Sequence, residues 1–437
     1  MSGVSNGAVL SGDLARRVID PHAYAQWDGL LDTFDQIRAT TPVVKVQPDT
    51  PGLFDPFWLV TGYDDVMRMS KDNATFLNNP RPVVFSFAQA IEFSRAATGS
   101  NMLVDSLVVF DAPIHPKYRK LTQEWFMPRN LGRLEDELRA LAARTVDRML
   151  ENAVESGGEV DFVKEVSGPY PLRVVMQILG VPEADEPRMQ MLTQQLFGGQ
   201  DKDLSGTGLD QMTPEQVVQI VAGAVKTFED YFAGIAEDRR QHPTDDVASV
   251  IANATVDGQP LPPRDMAGYY IIVATAGHDT TSASTAGAMQ ALANDPEQWA
   301  RVKADRSLLP GIVEEAIRWT TPVQHFMRTA AEDVELGGQQ VKKGDWLMMN
   351  YVAANHDPAQ FPDPRRFDAA RSPNRHLAFG AGAHQCLGLH LARLEMRILF
   401  EALLDRVASV EPAGKAKRAS STFVGGLKSL PLRVTPA

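Results

Sequence analysis

The sequence predicts a mainly α fold with small β-sheets. Three observations carry this. Long stretches repeat apolar residues at helical spacing. Strand-like runs are short and scattered. The only cysteine lies in a glycine-rich turn directly before a helical pattern. No internal repeat or low-complexity linker divides the chain, so residues 1–437 are expected to form one domain, with 1–20 a loosely ordered N-terminal segment.

The helical elements follow in order. Leu131 to Glu151 sets Leu134, Leu138, Leu141 and Val146 on or near one face. Pro214 to Arg240 starts with Thr213 as N-cap and proline in its first turn. Asp265 to Ala293 reads as one long helix ending before Asn294-Asp295-Pro296. Two more helices are predicted over Leu309 to Trp319 and Gly388 to Leu404. Strands are expected at Phe57 to Thr61, as a pair over Val334 to Met349 turning at Lys343-Gly344, and as a second pair over Ser421 to Val434. Ser205 to Thr213 reads as a mobile surface connection and Asn355 to Arg375 as an ordered, irregular loop.

Charge and composition exclude several classes. The net charge of −12 disfavours nucleic acid or an anionic membrane as the main partner. One cysteine excludes an intrachain disulfide and fits a reducing cytoplasm. The N-terminus lacks a secretory pattern. The most apolar stretch, Tyr269 to Gly277, is far below the roughly 20 residues that span a bilayer. A soluble, cytoplasmic protein is expected.

Phe379-Gly380-Ala381-Gly382-Ala383-His384-Gln385-Cys386-Leu387-Gly388 is the densest chemical signal. A lone buried cysteine is usually a small hydrophobe. Here the glycines allow close approach of backbone to a flat cofactor, and their amides and the following helix N-terminus favour a thiolate. Ala276-Gly277-His278-Asp279-Thr280-Thr281 is the second signal, in the middle of the long helix. Gly, Asp and two Thr are poor helix-interior residues, costing some tenths of a kcal/mol or more each. A Thr hydroxyl bonding to the Ala276 carbonyl would open the helix ladder and make a groove, with small Ala276 and Gly277 leaving room beside it. Glu315 and Arg318 share a helix face at i, i+3.

These motifs resemble those of the cytochrome P450 monooxygenases, and the resemblance runs from about Asp20 to the terminus. It implies haem b held between the long central helix and the cysteine loop, with Cys386 as axial thiolate and Phe379 in the haem-binding loop. By the same resemblance, His115, Arg119, Arg328 and His384 meet the haem propionates. Arg371, in the loop Phe361 to Arg371, joins Glu315 and Arg318 in a buried scaffold. Thr280 steadies oxygen at the iron and Asp279 relays protons to it. Blocks Ala274 to Ser282, Arg318 to Ala330, Pro373 to Gly388 and Ser421 to Arg433 look most like the α-terpineol (terpene) hydroxylase type. Family placement puts Ile272, Thr275, Ala276, Val323, Phe326 and Val424 around the substrate. These residues are apolar or small and suit a compact terpene or an alkyl-aromatic such as cymene. The expected partners are O2, an iron–sulfur ferredoxin and its NAD(P)H-dependent reductase, with the chain a monomer. Lys117, Lys120, Arg129 and Arg393 would form the ferredoxin's basic docking patch. A steroid or fatty-acid hydroxylase, a peroxide-using enzyme and a non-catalytic haem carrier are the alternatives; Asp279-Thr280 argues against the last two.

Overall fold

The computed structural model describes residues 9–48, 54–84, 88–206 and 214–437. Its largest sheet comprises β1 (Val9–Leu10), β2 (Val43–Val46), β3 (Phe57–Val60), β4 (Phe76–Leu77), β5 (His325–Ala330) and β6 (Trp346–Asn350), ordered β1-β2-β3-β6-β5-β4. Side chains alternate across it. Phe57, Leu59, Trp346 and Met348 pack into one apolar cluster, and Trp58, Val60, Leu347 and Met349 into another. Both faces are covered, so these strands read as unbroken apolar runs.

Helices make up most of the remainder: α1 (Ile114–Gln123), α2 (Glu135–Glu155), α3 (Pro169–Ile178), α4 (Glu186–Phe197), α5 (Pro214–Gln241), α6 (Pro263–Ala276), α7 (His278–Asn294), α8 (Leu309–Thr320) and α9 (Leu389–Arg406). Helix α7 is the central element, buried along most of its length and packed against α3 and α8, while α9 packs on α2 and α8. A single apolar core joins these helices.

The structure corrects several local expectations. The helix predicted over Asp265 to Ala293 is two helices, interrupted at Gly277. A Cβ at Gly277 would lie 2.6 Å from Val175 Cγ2 on α3, so glycine serves the close packing of α3 against the break. The loose N-terminal segment does not extend through residues 9–20. There β1 pairs with β2, and a helix over Gly12–Ile19 buries Ala15, Val18 and Ile19. The strand pair in the 334–349 region turns at Gly337-Gly338, both at positive φ, and joins Val334–Leu336 to Gln339–Val341. Adjacent glycines suit a tight hairpin turn better than Lys343-Gly344. Trp346–Asn350 instead enters the large sheet, between β3 and β5. In the C-terminal tail, Leu427–Ser429 pairs with Lys417–Arg418 and Pro431–Pro436 with Val407–Pro412, rather than with each other. The connection expected to be mobile falls mostly on 207–213, outside the described residues.

The irregular stretch after Asn355 is ordered by buried charge. Glu315 and Arg318 are fully buried, with Arg318 donating to both Glu315 carboxylate oxygens at 2.7 and 2.8 Å. Arg371 Nε lies 3.0 Å from Glu315, and Asn374 and the Asp368 amide donate to the same carboxylate, also at 3.0 Å. Arg318 completes its bonding on the carbonyls of Asn355 and Pro364 and lies over the Phe361 ring. One carboxylate thus pins α8 to the loop that leads into the cysteine turn. Glu315→Ala leaves Arg318 buried without its counter-charge. It is expected to cost about 3–5 kcal/mol, read from the denaturant midpoint; an unchanged midpoint would contradict this role.

Candidate functional site

The site begins at the turn before α9. Gly380 and Gly382 adopt φ of 66° and 73°, a region that favours glycine. At Gly382 a Cβ would come within 2.7 Å of the Ser70 carbonyl oxygen, so the turn can lie flat against the helix Tyr63–Lys71 only without a side chain. The Cys386 amide donates to the Phe379 carbonyl at 2.8 Å, which closes the loop and presents the thiol. Cys386 lies deep in the protein yet is partly accessible, because it borders a cavity of about 1600 Å³. Burial pushes its thiol up, against the Gly388 amide and the charges of Arg119 and Arg393, which pull it down. The amides and helix terminus therefore favour the thiolate without outweighing burial, and a bound metal ion would supply the remainder.

A support that sequence reasoning missed sits behind this loop. Glu314, next to the scaffold carboxylate on α8, accepts from Arg393 at 2.6 and 2.8 Å and lies 3.2 Å from His376 Nε2. Arg393 in turn covers the Phe379 ring at 4.8 Å, and His376 packs on that ring from another side. Burial alone would raise the Glu314 carboxyl, but the bonds from Arg393 and His376 hold it at about 2. Neighbouring Glu314 and Glu315 thus grip the two ends of the same loop.

Opposite Cys386 stands the break between α6 and α7. Thr280 Oγ1 donates to the Ala276 carbonyl at 2.9 Å, the bond the sequence led us to expect. Ala276 is exposed, and its exposure is to the cavity. Asp279 is 40 % exposed, with Oδ1 3.0 Å from Nε2 of buried His278. Burial lowers the His278 pKa, but the Asp279 charge outweighs it and leaves the imidazole raised. Glu395 on α9 is a second buried acid the sequence did not single out. Its carboxyl is pushed well above the ordinary range by burial, and its Oε1 lies 3.1 Å from the Thr281 hydroxyl. That hydroxyl also donates to the Gly277 carbonyl at 3.0 Å. One proton cannot serve both acceptors. A neutral Glu395 satisfies the set by donating to Thr281 while Thr281 donates to Gly277.

The remaining polar wall is positive. Arg328 is 2 % exposed; it donates to the Met327 carbonyl, and its Nε has no partner. Among the described residues, neither Arg328 nor Arg119 has a carboxylate at ion-pair distance, and both border the cavity. The His115 and His384 rings lie 3.9 Å apart beside them, lowered to about 4 and about 3, chiefly by burial. His384 Nε2 is engaged by Asn78 at 2.7 Å. Buried guanidinium groups require counter-charges. A flat ring with two carboxylates, ligated by a single sulfur, meets this donor set, so haem fits the residues present. His115, Arg119 and Arg328 would hold its propionates and Cys386 its iron. No cluster of three His, Cys, Asp or Glu side chains offers another metal site among the described residues.

All six residues placed around the substrate border the same cavity: Ile272, Thr275 and Ala276 from α6, Val323 and Phe326 beside and in β5, and Val424 from the C-terminal tail. Val323 and Val424 also form an isolated β-bridge. The one hydroxyl, Thr275 Oγ1, is used by the Ile271 carbonyl at 2.8 Å, so these walls are effectively apolar. Phe197, Gln200 and Phe423 border the cavity too; Phe197 ends α4, and Gln200 and Phe423 lie in irregular segments where no periodicity marks them. The basic patch is less charged than the sequence suggests. Lys117 pairs with Asp257, Arg129 with Glu124, and Arg393 with Glu314.

The chain resembles known proteins along most of its length. The cytochrome P450 family pattern matches residues 108–433. The crystal structure of CYP108D1 from Novosphingobium aromaticivorans is 62% identical, with a TM-score of 0.89 over 98% of this chain and 100% of that chain. Cytochrome P450-terp of a Pseudomonas species is 41% identical, over 98% of this chain and 99% of its own length. A steroid C26-monooxygenase of Mycolicibacterium smegmatis is 34% identical, over 90% of this chain and 88% of its own. No described helix is long and apolar enough to cross a membrane.

The depressed Glu314 carboxyl gives a pH prediction. Its contribution is full above the ordinary value of 4.5 and is lost as pH falls through about 2. Glu314→Gln is expected to lose about 2 kcal/mol at neutral pH and to show a flatter acid limb in that window. Parallel acid limbs in equilibrium unfolding of the two proteins would contradict the assignment.

Proposed function

Since this chain belongs to the cytochrome P450 family of haem b-dependent monooxygenases, we propose that it hydroxylates a compact, neutral hydrocarbon-like substrate of the monoterpene or alkyl-aromatic class. The observation that carries this is the apolar wall of Ile272, Thr275, Ala276, Val323, Phe326 and Val424, facing the cavity bordered by Cys386 and Thr280. An unpaired substrate charge there would go unmatched, at a cost of several kcal/mol. Similarity to a relative named cytochrome P450-terp supports the same class.

Haem b with a thiolate on its iron supplies the oxygen-activating chemistry. The chain's own residues orient the substrate and manage protons. Ile272, Phe326 and Val424 fix which C–H bond faces the reactive centre, a positional effect that sets product identity. Thr280, held on the Ala276 carbonyl, presents a hydroxyl into the cavity. Asp279, partly exposed and charge-paired with His278, is the acid that relays protons toward it. His115, Arg119 and Arg328 would hold the propionates, with His384, engaged by Asn78, beside them and Phe379 packed in the loop behind Cys386. Electrons come from a separate iron–sulfur ferredoxin and its NAD(P)H-dependent reductase. Local pairing of Lys117, Arg129 and Arg393 makes shape as well as charge part of that docking. The protein works as a monomer in the cytoplasm.

A second reading, a steroid or lipid hydroxylase, is favoured by the steroid C26-monooxygenase relative and by the length of the cavity, which runs from Cys386 to Phe93 and Ile220. Spectral titration separates the two. α-Terpineol or p-cymene is expected to displace water from the iron and give a high-spin shift; a shift with steroid or fatty acid alone would reverse the assignment. Thr280→Ala is expected to keep oxidising the donor at a substantial rate, while product per donor oxidised falls and peroxide rises. An unchanged product ratio would remove Thr280 from the proton path.

A further inference from the structure

The tail that supplies Val424 is held from two sides. On one side stands the β5 region. The Gln324 amide donates to the Phe423 carbonyl at 2.8 Å, Gln324 Nε2 to the Ser421 carbonyl at 2.6 Å, and His325 Nδ1 lies 2.8 Å from the Thr422 carbonyl. On the other stands the segment that follows α4. Gln200 Oε1 accepts from the Thr422 amide at 2.8 Å, and its Nε2 lies 3.3 Å from the Thr422 hydroxyl. Phe197 and Phe423 bring their rings to 6.1 Å.

Next to Gln200 is a buried charge. Asp201 is 2 % exposed, accepts from the Ser420 amide at 2.7 Å, and receives Lys428 Nζ at 2.8 and 2.9 Å. It also caps the short helix at Lys202–Ser205 through the Asp203 amide. Lys428 has a second anion, Asp203, which is mostly exposed and also feels the charge of Lys417 in the tail. One carboxylate therefore ties the segment after α4 to two points of the tail, Ser420 and Lys428, 219 and 227 residues away in sequence.

We infer that Asp201 is a specificity-determining positioning residue: its buried pair with Lys428 and its bond to the Ser420 amide seat Gln200 on Thr422 and fix the Phe423–Val424 wall of the cavity. Buried ion pairs add little net stability and are best used to select one arrangement over alternatives. The arrangement selected here is the height of an apolar wall above the catalytic groove. Loosening it moves the wall without touching Cys386, Thr280 or the propionate cations. The inference rests on the reading that this cavity takes the substrate.

The test uses haem-loaded protein and two iron ligands, imidazole, which occupies little beyond the iron, and 4-phenylimidazole, whose ring reaches the wall. In Asp201→Asn and in Lys428→Gln, 4-phenylimidazole is expected to weaken by about three- to tenfold, the cost of re-ordering one or two wall side chains, with imidazole unchanged. Asp203→Asn, which leaves the buried pair in place, is expected to match wild type for both ligands. Unchanged ligand ratios in both pair variants would overturn the inference. So would an equal effect in Asp203→Asn, which would mark a general charge effect. Loss of the thiolate-type carbon monoxide band in both variants would do the same, marking a purely structural role. If neither terpenoid nor alkyl-arene binds the wild type, the substrate reading falls, and the azole comparison still decides this one.

Discussion

Two guanidinium groups face a cavity in which the described walls bring no carboxylate to ion-pair distance, and much of the architecture follows from accommodating them. Arg328 is carried in by β5, in the interior of the largest sheet, and Arg119 by α1, with the His115–His384 stack beside them. Burial depresses both arginines from their ordinary range. Such an arrangement is costly for the chain alone and becomes favourable when a dianionic ring is bound. Cys386 follows the same logic. Its thiol is raised by burial, so as the proposed ligand its charged form would be completed by the metal. Haem binding would in this sense be coupled to folding.

The second constraint is the interruption at Gly277. Helix α7 is packed on several sides, and a continuous α6–α7 helix would satisfy its backbone internally. Here, Thr280 and Thr281 return their hydroxyls to the carbonyls of Ala276 and Gly277, which keeps those acceptors occupied while the ladder is open. Val175 fills the space that a side chain at Gly277 would need, which fixes the break from behind. The groove is therefore built by packing on one face and by hydroxyl bonding on the other. Its acidic neighbours are held differently: Asp279 partly exposed and charge-paired, Glu395 buried and raised.

Much of this was legible in the sequence wherever local chemistry or periodicity marks it. The cysteine loop, the Thr280 bond to the Ala276 carbonyl and the helix start at Leu309 are local signals, and the structure places them as expected. Contacts set by tertiary packing were not legible. Gly277 borders the cavity, as the sequence suggests, but that its missing side chain also makes room for Val175 was not legible. The hairpin at Gly337-Gly338 and the separate partners of the tail strands depend on which distant edges are free. Glu314, Glu395 and Asp201 carry no signature beyond being acids in helices or loops. Only burial shows that they are gripped, neutral and paired, respectively.

Cys386, the chain's only cysteine, must supply the axial sulfur for the rest of the account to stand. The carbon monoxide difference spectrum of the reduced, haem-loaded protein measures this directly, because the Soret position reports the ligand opposite carbon monoxide. The account predicts a thiolate-type band for the wild type and its absence in haem-loaded Cys386→Ala. An imidazole-type band in the wild type, or a thiolate-type band that survives in Cys386→Ala, would contradict it.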